Sequence, residues 1–153
     1  MVAKISERHY RAESMTNIER TDYEKYLVQF NRNAPATEGS IREFEDSVTY
    51  QMPSDYLQFL RTSNGGEGVI GQQYIILWRV EDLLKWNADY EVDEYAPGLL
   101  LIGSNGGGEA YAYDTRSTPN CIVQVPFIGM DLNASKYVAS DFGTFLTSLH
   151  SRT

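Results

Sequence analysis

The segment LLLIGSNGGGEAYAYDT, residues 99–115, constrains the fold more than any other part of the sequence. A short apolar run leads into three consecutive glycines and then into an alternation of small and aromatic residues. Alternation with period two belongs to a strand, so Glu109, Tyr111 and Tyr113 share one face and Ala110 and Ala112 the other. Glycine accepts positive φ and close backbone approach without steric cost. The loop SNGGG therefore reads as a β-turn or bulged hairpin between neighbouring antiparallel strands.

A phosphate-binding reading of the same loop fails on its chemistry. Gly103 and Gly108 have the glycine spacing of a P-loop, but Glu109 and Ala110 stand where Lys and Ser or Thr are required. The carboxylate of Glu109 would repel phosphate, and the residues after the loop alternate like a strand rather than opening a helix. The loop is expected to carry no cofactor.

The rest of the chain sorts by period. Ile18, Tyr23, Tyr26, Leu27 and Phe30 in NIERTDYEKYLVQFNRN have rough helical spacing and predict a helix. NAPATEGS, with Pro35 and Gly39, reads as a linker. SIREFEDSV offers a capping box, Ser40 with Glu43. MPSDYLQFLRTSNGG predicts a helix with Tyr56, Leu57, Phe59 and Leu60 on its apolar side, started by Ser54 or Asp55 and ended at Asn64-Gly65-Gly66. QYIILW and CIVQVPFI read as strands, with Pro126 at an end or edge. RVEDLLKWNADY reads as a helix and EVDEYAPG as a turn. SDFGTFLTSLHS predicts a closing helix with Ser140 or Asp141 as cap. Trp78 and Trp86 are expected in the core. Helices first, then strands with one inserted helix, then a last helix, argue for an α+β fold with a mostly antiparallel or mixed sheet covered by helices. The division expected is an N-terminal extension, residues 1–36, followed by a single domain, residues 37–153.

Composition narrows the function classes. Thirteen basic residues against twenty-one acidic give a net charge of -8. Nucleic-acid binding relies on the opposite sign, and such a field favours encounter with a basic partner. One cysteine, Cys121, allows no intrachain disulfide and no four-thiolate zinc site, and two histidines supply a His-dependent triad poorly. DYEVDEY resembles a calcium loop only loosely, because the glycine and glutamate of that loop are not in register. No catalytic, metal-binding or cofactor-binding set is expected. The N-terminus lacks the apolar stretch of a signal peptide and no run approaches a membrane span, so a cytoplasmic location is expected.

Three motifs line up in order. MPSDYLQFLRTSNGG resembles the signature of the SUKH superfamily, an apolar residue, Pro, an acid, Tyr, then Phe-Leu and Asn-Gly-Gly. LLIGSNGGGEAYAYDT is similar to its strand, glycine loop and strand ending in Asp. SDFGTFLTSL is similar to its closing Phe-x-x-Phe-Leu helix. The resemblance spans roughly Ser40 to Leu149. It carries over Pro53, Tyr56, Phe59, Leu60, Gly65 and Gly66 from the first motif and Gly103, Gly107, Gly108 and Asp114 from the second, mainly in structural roles. It implies an α+β fold, no catalytic residues, and kinship with bacterial immunity proteins that neutralise a cognate toxin, often a nuclease.

The expectation is thus an immunity protein whose acidic surface docks on a basic toxin and covers its active site. An intracellular regulator or scaffold of the same fold is the alternative, and an enzyme or small-ligand binder ranks third. Glu67, Asp89, Glu91, Asp93, Glu94 and Glu109 are the expected acidic contacts, with Tyr90, Tyr95 or Tyr111 as aromatic anchors. Monomer and homodimer are both open.

Overall fold

A computed structural model describes residues 23–152. After a 3-10 turn, Lys25–Leu27, the elements are β1 (Phe30–Arg32), α1 (Glu38–Asp46), α2 (Ser54–Thr62), β2 (Gly66–Ile70), β3 (Gln73–Leu77), α3 (Val80–Asp89), α4 (Val92–Tyr95), β4 (Leu99–Ser104), β5 (Glu109–Asp114), β6 (Cys121–Pro126), β7 (Lys136–Ala139) and α5 (Phe142–Ser151). The seven strands form one sheet in chain order, and every neighbouring pair is antiparallel. The α+β architecture expected from the element order is the one observed.

Both faces of the sheet are covered, unequally. On one face Tyr111 and Tyr113 of β5 meet Ile41 and Phe44 of α1, Tyr56, Phe59 and Leu60 of α2, and Phe142, Phe145, Leu146 and Leu149 of α5. Phe142 is the hub, with the rings of Tyr23, Tyr56, Phe59 and Phe145 all within 6.1 Å of it, centroid to centroid. The other face is thin. Ala110, Ala112, Val123 and Val125 pack against Leu99, Leu101, Met130 and the short α4 through Val92 and Ala96. The Tyr/Ala alternation of β5 is thus a thick core on one side and a thin one on the other.

The contact between β3 and β4 is the weak seam of the sheet. Only Ile76↔Ser104 and Leu77↔Gly103 pair there. Beyond them α3 leaves the end of β3, and Asn87 takes the missing strand's place. Its amide accepts from the Leu101 N–H at 2.8 Å and donates to the Leu101 carbonyl at 3.0 Å. Buried backbone groups need such partners wherever a ladder stops.

Several local expectations are corrected. The helix expected around residues 18–33 begins outside the described residues. Inside them Tyr23 and Glu24 are helical and Lys25–Leu27 continues as a 3-10 turn, but the helix goes no further: Phe30 opens β1, and Tyr23, Leu27 and Phe30 are all buried. The chain from Tyr23 onward, on the N-terminal side of residue 37, therefore shares the main core and supplies the first strand. Thr37, not Ser40, caps α1: its side chain accepts from the Ser40 N–H. Pro53 precedes α2, and Ser63 ends it in extended conformation, before the glycines. The turn expected in EVDEYAPG contains α4.

Strands β2 and β7 were not expected. β2 hides behind its glycines: a Cβ at Gly66 would lie 2.3 Å from the Asn31 carbonyl oxygen, so β1 can approach only a glycine. β7 is a four-residue strand in a stretch otherwise read only for its closing helix. Asp141 caps α5 as expected, accepting from the Thr144 N–H at 2.7 Å.

Candidate functional site

Residues from the first motif hold helices that lie elsewhere in the chain. The buried Asp55 carboxylate accepts from the N–H of Phe142 at 2.9 Å and of Tyr56 at 2.7 Å, tying α2 to the start of α5. Burial pushes its pKa up, against the pull of those N–H donors. Asn64 does the same for α3. Its side chain accepts from the Val80 N–H at 2.8 Å and donates to Glu81 at 2.7 Å, and that hydrogen bond holds the Glu81 carboxylate below its ordinary range.

The glycine loop spends its own donors. Asn105 accepts from the N–H groups of Gly107 and Glu109, Ser104 Oγ accepts from Gly106, and the Asn105 N–H pairs with the Glu109 carbonyl. Positive φ at Gly106 and Gly108 closes the turn. A phosphate cradle needs outward-pointing amides, whereas these are consumed within the loop. The hairpin reading of the sequence describes what forms, including a bulge in β4 between Leu101 and Gly103.

The surface of interest surrounds the C-terminal half of α3. On one side lies a cavity of about 630 Å³ between the α1–α2 connection, α3, α4 and β4, lined by Tyr50, Asn87, Glu91, Asp93 and Glu94 among others. Burial, then the nearby Asp93 carboxylate, pushes the Tyr50 hydroxyl up to about 12. On the other side is an aromatic groove of about 320 Å³, lined by Ile76, Trp78, Trp86, Tyr90, Phe127 and the loop residues Ser104, Gly106 and Gly108. Trp78, Trp86 and Tyr90 stack in sequence, and Tyr90 meets Phe127 at 4.6 Å. Tyr90 is 37% exposed, and Ile128, the next residue after Phe127, is 93% exposed.

The expected contact residues divide among these features. Tyr90 belongs to the groove, and Glu91, Asp93 and Glu94 to the acidic cavity. Tyr95 is exposed. Asp89 is exposed but ion-paired with Lys85 at 2.8 Å. Glu67 bonds the Tyr74 hydroxyl, and the Tyr74 ring lies against Gly106, which brings Glu67 to the groove's edge. Glu109, half-buried, follows the loop into β5. Tyr111 is corrected: at 1% exposure its ring packs edge-on against Phe145, 4.9 Å away, and offers no surface anchor. Trp78 and Trp86 are corrected in the other direction, since both are only partly buried and line the groove. Phe127 and Ile128 escaped sequence reasoning; their signal is an apolar pair carried past the proline that ends β6.

Electrostatics set this part of the chain apart. From Glu67 to Asp131 there are ten acidic residues against three basic. All three bases are already ion-paired within the stretch: Arg79 with Asp82, Lys85 with Asp89, and Arg116 with Asp114.

This layout of a capping Asp55, a capping Asn64, a glycine hairpin and a closing helix coincides with the match to a family model, SMI1 / KNR4 family (SUKH-1), over residues 35–148. The chain belongs to the SUKH-1 family. The match covers every helix and strand named above except β1 and the last residues of α5. Comparison with curated proteins returned no match. SUKH-1 membership establishes kinship with a family that includes immunity proteins and is not known for catalysis. Among the described residues no cluster of His, Cys, Asp and Glu could hold a metal ion, and no helix is long and apolar enough to cross a membrane.

Proposed function

We propose that this SUKH-1 protein is an immunity protein that binds a cognate, basic protein toxin, a nuclease, and covers its active site. The observation that carries the reading is the unneutralised acidic face: its cations are internally paired, while Glu67, Glu91, Asp93, Glu94 and Glu109 have no ion-pair partner among the described residues. A nuclease presents a cationic surface to phosphate, and a surface of opposite sign speeds encounter and selects that partner. Occlusion needs no catalytic group on the inhibitor, only a stable interface of roughly 1,200–2,000 Å² in total.

The test is co-expression with the product of the adjacent reading frame. A stoichiometric complex, survival of the host and loss of toxin activity in vitro are the expected results. Absence of a complex together with absence of protection overturns the proposal and leaves the scaffold or regulator reading.

A further inference from the structure

We infer that the aromatic groove between α3 and the glycine hairpin receives an arginine side chain of a cationic protein segment, with Tyr90 as the ring that closes over it. This rests on the proposal that the partner is a basic protein, and adds the place and the chemistry of contact. The groove is built rather than incidental. Trp78 in the β3–α3 connection and Trp86 in α3, the protein's two tryptophans, are joined through Tyr90 to Phe127 of the β6–β7 connection. Gly106 and Gly108 leave its floor free of side chains, and nothing lies within 4 Å of where a Cβ of Gly108 would stand. So many aromatic faces, partly open to water, are costly for a soluble domain unless something covers them.

The charge around the groove selects the occupant. Glu109 follows Gly108, and Glu67 reaches the edge through Tyr74, while Glu91, next to Tyr90 in sequence, lines the acidic cavity on the other side of α3. One base, Lys85, lies 4.7 Å above the Trp86 ring and is paired with Asp89, so the site already holds one cation against its aromatics. A second copy of this chain would bring the same negative face and be repelled. A guanidinium suits the site better than an ammonium, because it is planar, stacks on aromatic rings and can bond a carboxylate with two parallel N–H groups. Ile128, projecting beside Phe127, supplies an apolar contact for the neighbouring residues of the segment.

Two probes test this on the full chain: an acetylated, amidated nonapeptide of alternating arginine and glycine, and the same peptide with citrulline for arginine. Both tryptophans lie in the groove, so indole N–H resonances and tryptophan emission report occupancy directly. Saturable shifts with the arginine peptide, at least tenfold tighter than with the citrulline peptide, are expected. Tyr90→Ala should weaken that binding about tenfold, and Tyr90→Phe should restore most of it. Tyr90 also packs against Phe127, so a substitution at the exposed Ile128 serves as a second variant: Ile128→Ser removes the apolar contact without adding charge and should weaken binding at least threefold.

Unmoved indole resonances, or equal binding by Tyr90→Ala and the parent, would overturn the inference in favour of cations scattered over the carboxylates. Concentration-dependent dimerisation abolished by Tyr90→Ala would overturn it in favour of a second copy. The two proposals fail separately. A toxin complex indifferent to Tyr90→Ala and Ile128→Ser removes the groove and keeps the immunity role. Groove-bound arginine without any toxin complex does the reverse.

Discussion

The carboxylate of Asp55 accepts a hydrogen bond from the backbone N–H of Phe142, 87 residues further along the chain, and so fixes where the last helix begins. Phe142 is the hub of the aromatic core, and its position depends on that bond. Asp55→Ala leaves a buried N–H without a partner and is expected to cost about 1–3 kcal/mol in urea unfolding. A loss under 0.5 kcal/mol would show that the carboxylate is dispensable as a cap.

The same residue makes stability depend on pH in an unusual direction for a carboxylate. Burial, aided by the nearby Asp141, raises the folded-state pKa above the ordinary 3.8. The folded protein then holds the proton more tightly than the unfolded chain. The contribution of Asp55 is fully present below 3.8 and is lost as pH rises through the raised folded value. Asp55→Asn removes this titration while keeping an oxygen acceptor. The stability of the parent relative to Asp55→Asn should therefore fall as pH rises above the usual carboxylate range, measured as the difference between two sets of denaturation curves. A difference that grows with pH contradicts the assignment.

Asn87 replaces a strand where the sheet parts. Its side chain makes two bonds to Leu101 and one to the Leu83 carbonyl, all between 2.8 and 3.0 Å. Asn87→Ala strands both polar groups of Leu101, whose residue is fully buried, and should cost about 2 kcal/mol or more. Asn87→Asp keeps the acceptor for the Leu101 N–H but loses the donor, so it should be destabilising too. Amide exchange at Leu101, accelerated in both variants, locates the damage.

The two kinds of glycine in the hairpin predict opposite outcomes. A Cβ at Gly103 would stand 2.1 Å from the Ile76 carbonyl oxygen, on backbone that cannot move without opening the β3–β4 seam. Gly103→Ala is expected to cost about 1–3 kcal/mol or to prevent folding. At Gly107 the nearest neighbour is the Asn105 side chain at 3.6 Å, an ordinary contact, and φ is not positive. Gly107→Ala should change the melting temperature by no more than about 2 °C, since a few tenths of a kcal/mol move it little. Of these two glycines of the motif, Gly103 is therefore a steric necessity and Gly107 a position of latitude.

What could be read from the chain follows range of interaction. The hairpin was legible because alternation and a glycine turn are local properties of residues 99–115. The sides of α2 and α5 were legible for the same reason. The capping roles of Asp55, Asn64 and Asn87 were not, since their partners stand 14 to 87 residues away and only the tertiary fold joins them. β2 was missed because its glycines, demanded by the approach of β1, lower its strand propensity. Tyr111 was misplaced because alternation assigns a face without saying that helices bury it. The tryptophans erred the other way: a strand position for Trp78 and a helix face for Trp86 put them inward, but the thin core of that face leaves them partly open.

Encounter with a basic partner should be governed by the carboxylates that line the cavity beside α3. Glu91, Asp93 and Glu94 are exposed, and no cation pairs with them among the described residues. Reversing all three to lysine changes the local charge by six units and should slow association with the toxin about tenfold or more at low salt. The difference should shrink at about 0.5 M salt, where screening reaches only a few ångströms. Dissociation should change less, because surface charges act mainly on encounter. Tyr111→Phe, buried behind the sheet, should leave both rates alone. Stopped-flow mixing across a salt series separates these outcomes. If association is equally fast for the reversed variant at every salt concentration, the partner is docked by a different face, and the acidic cavity has no part in finding it.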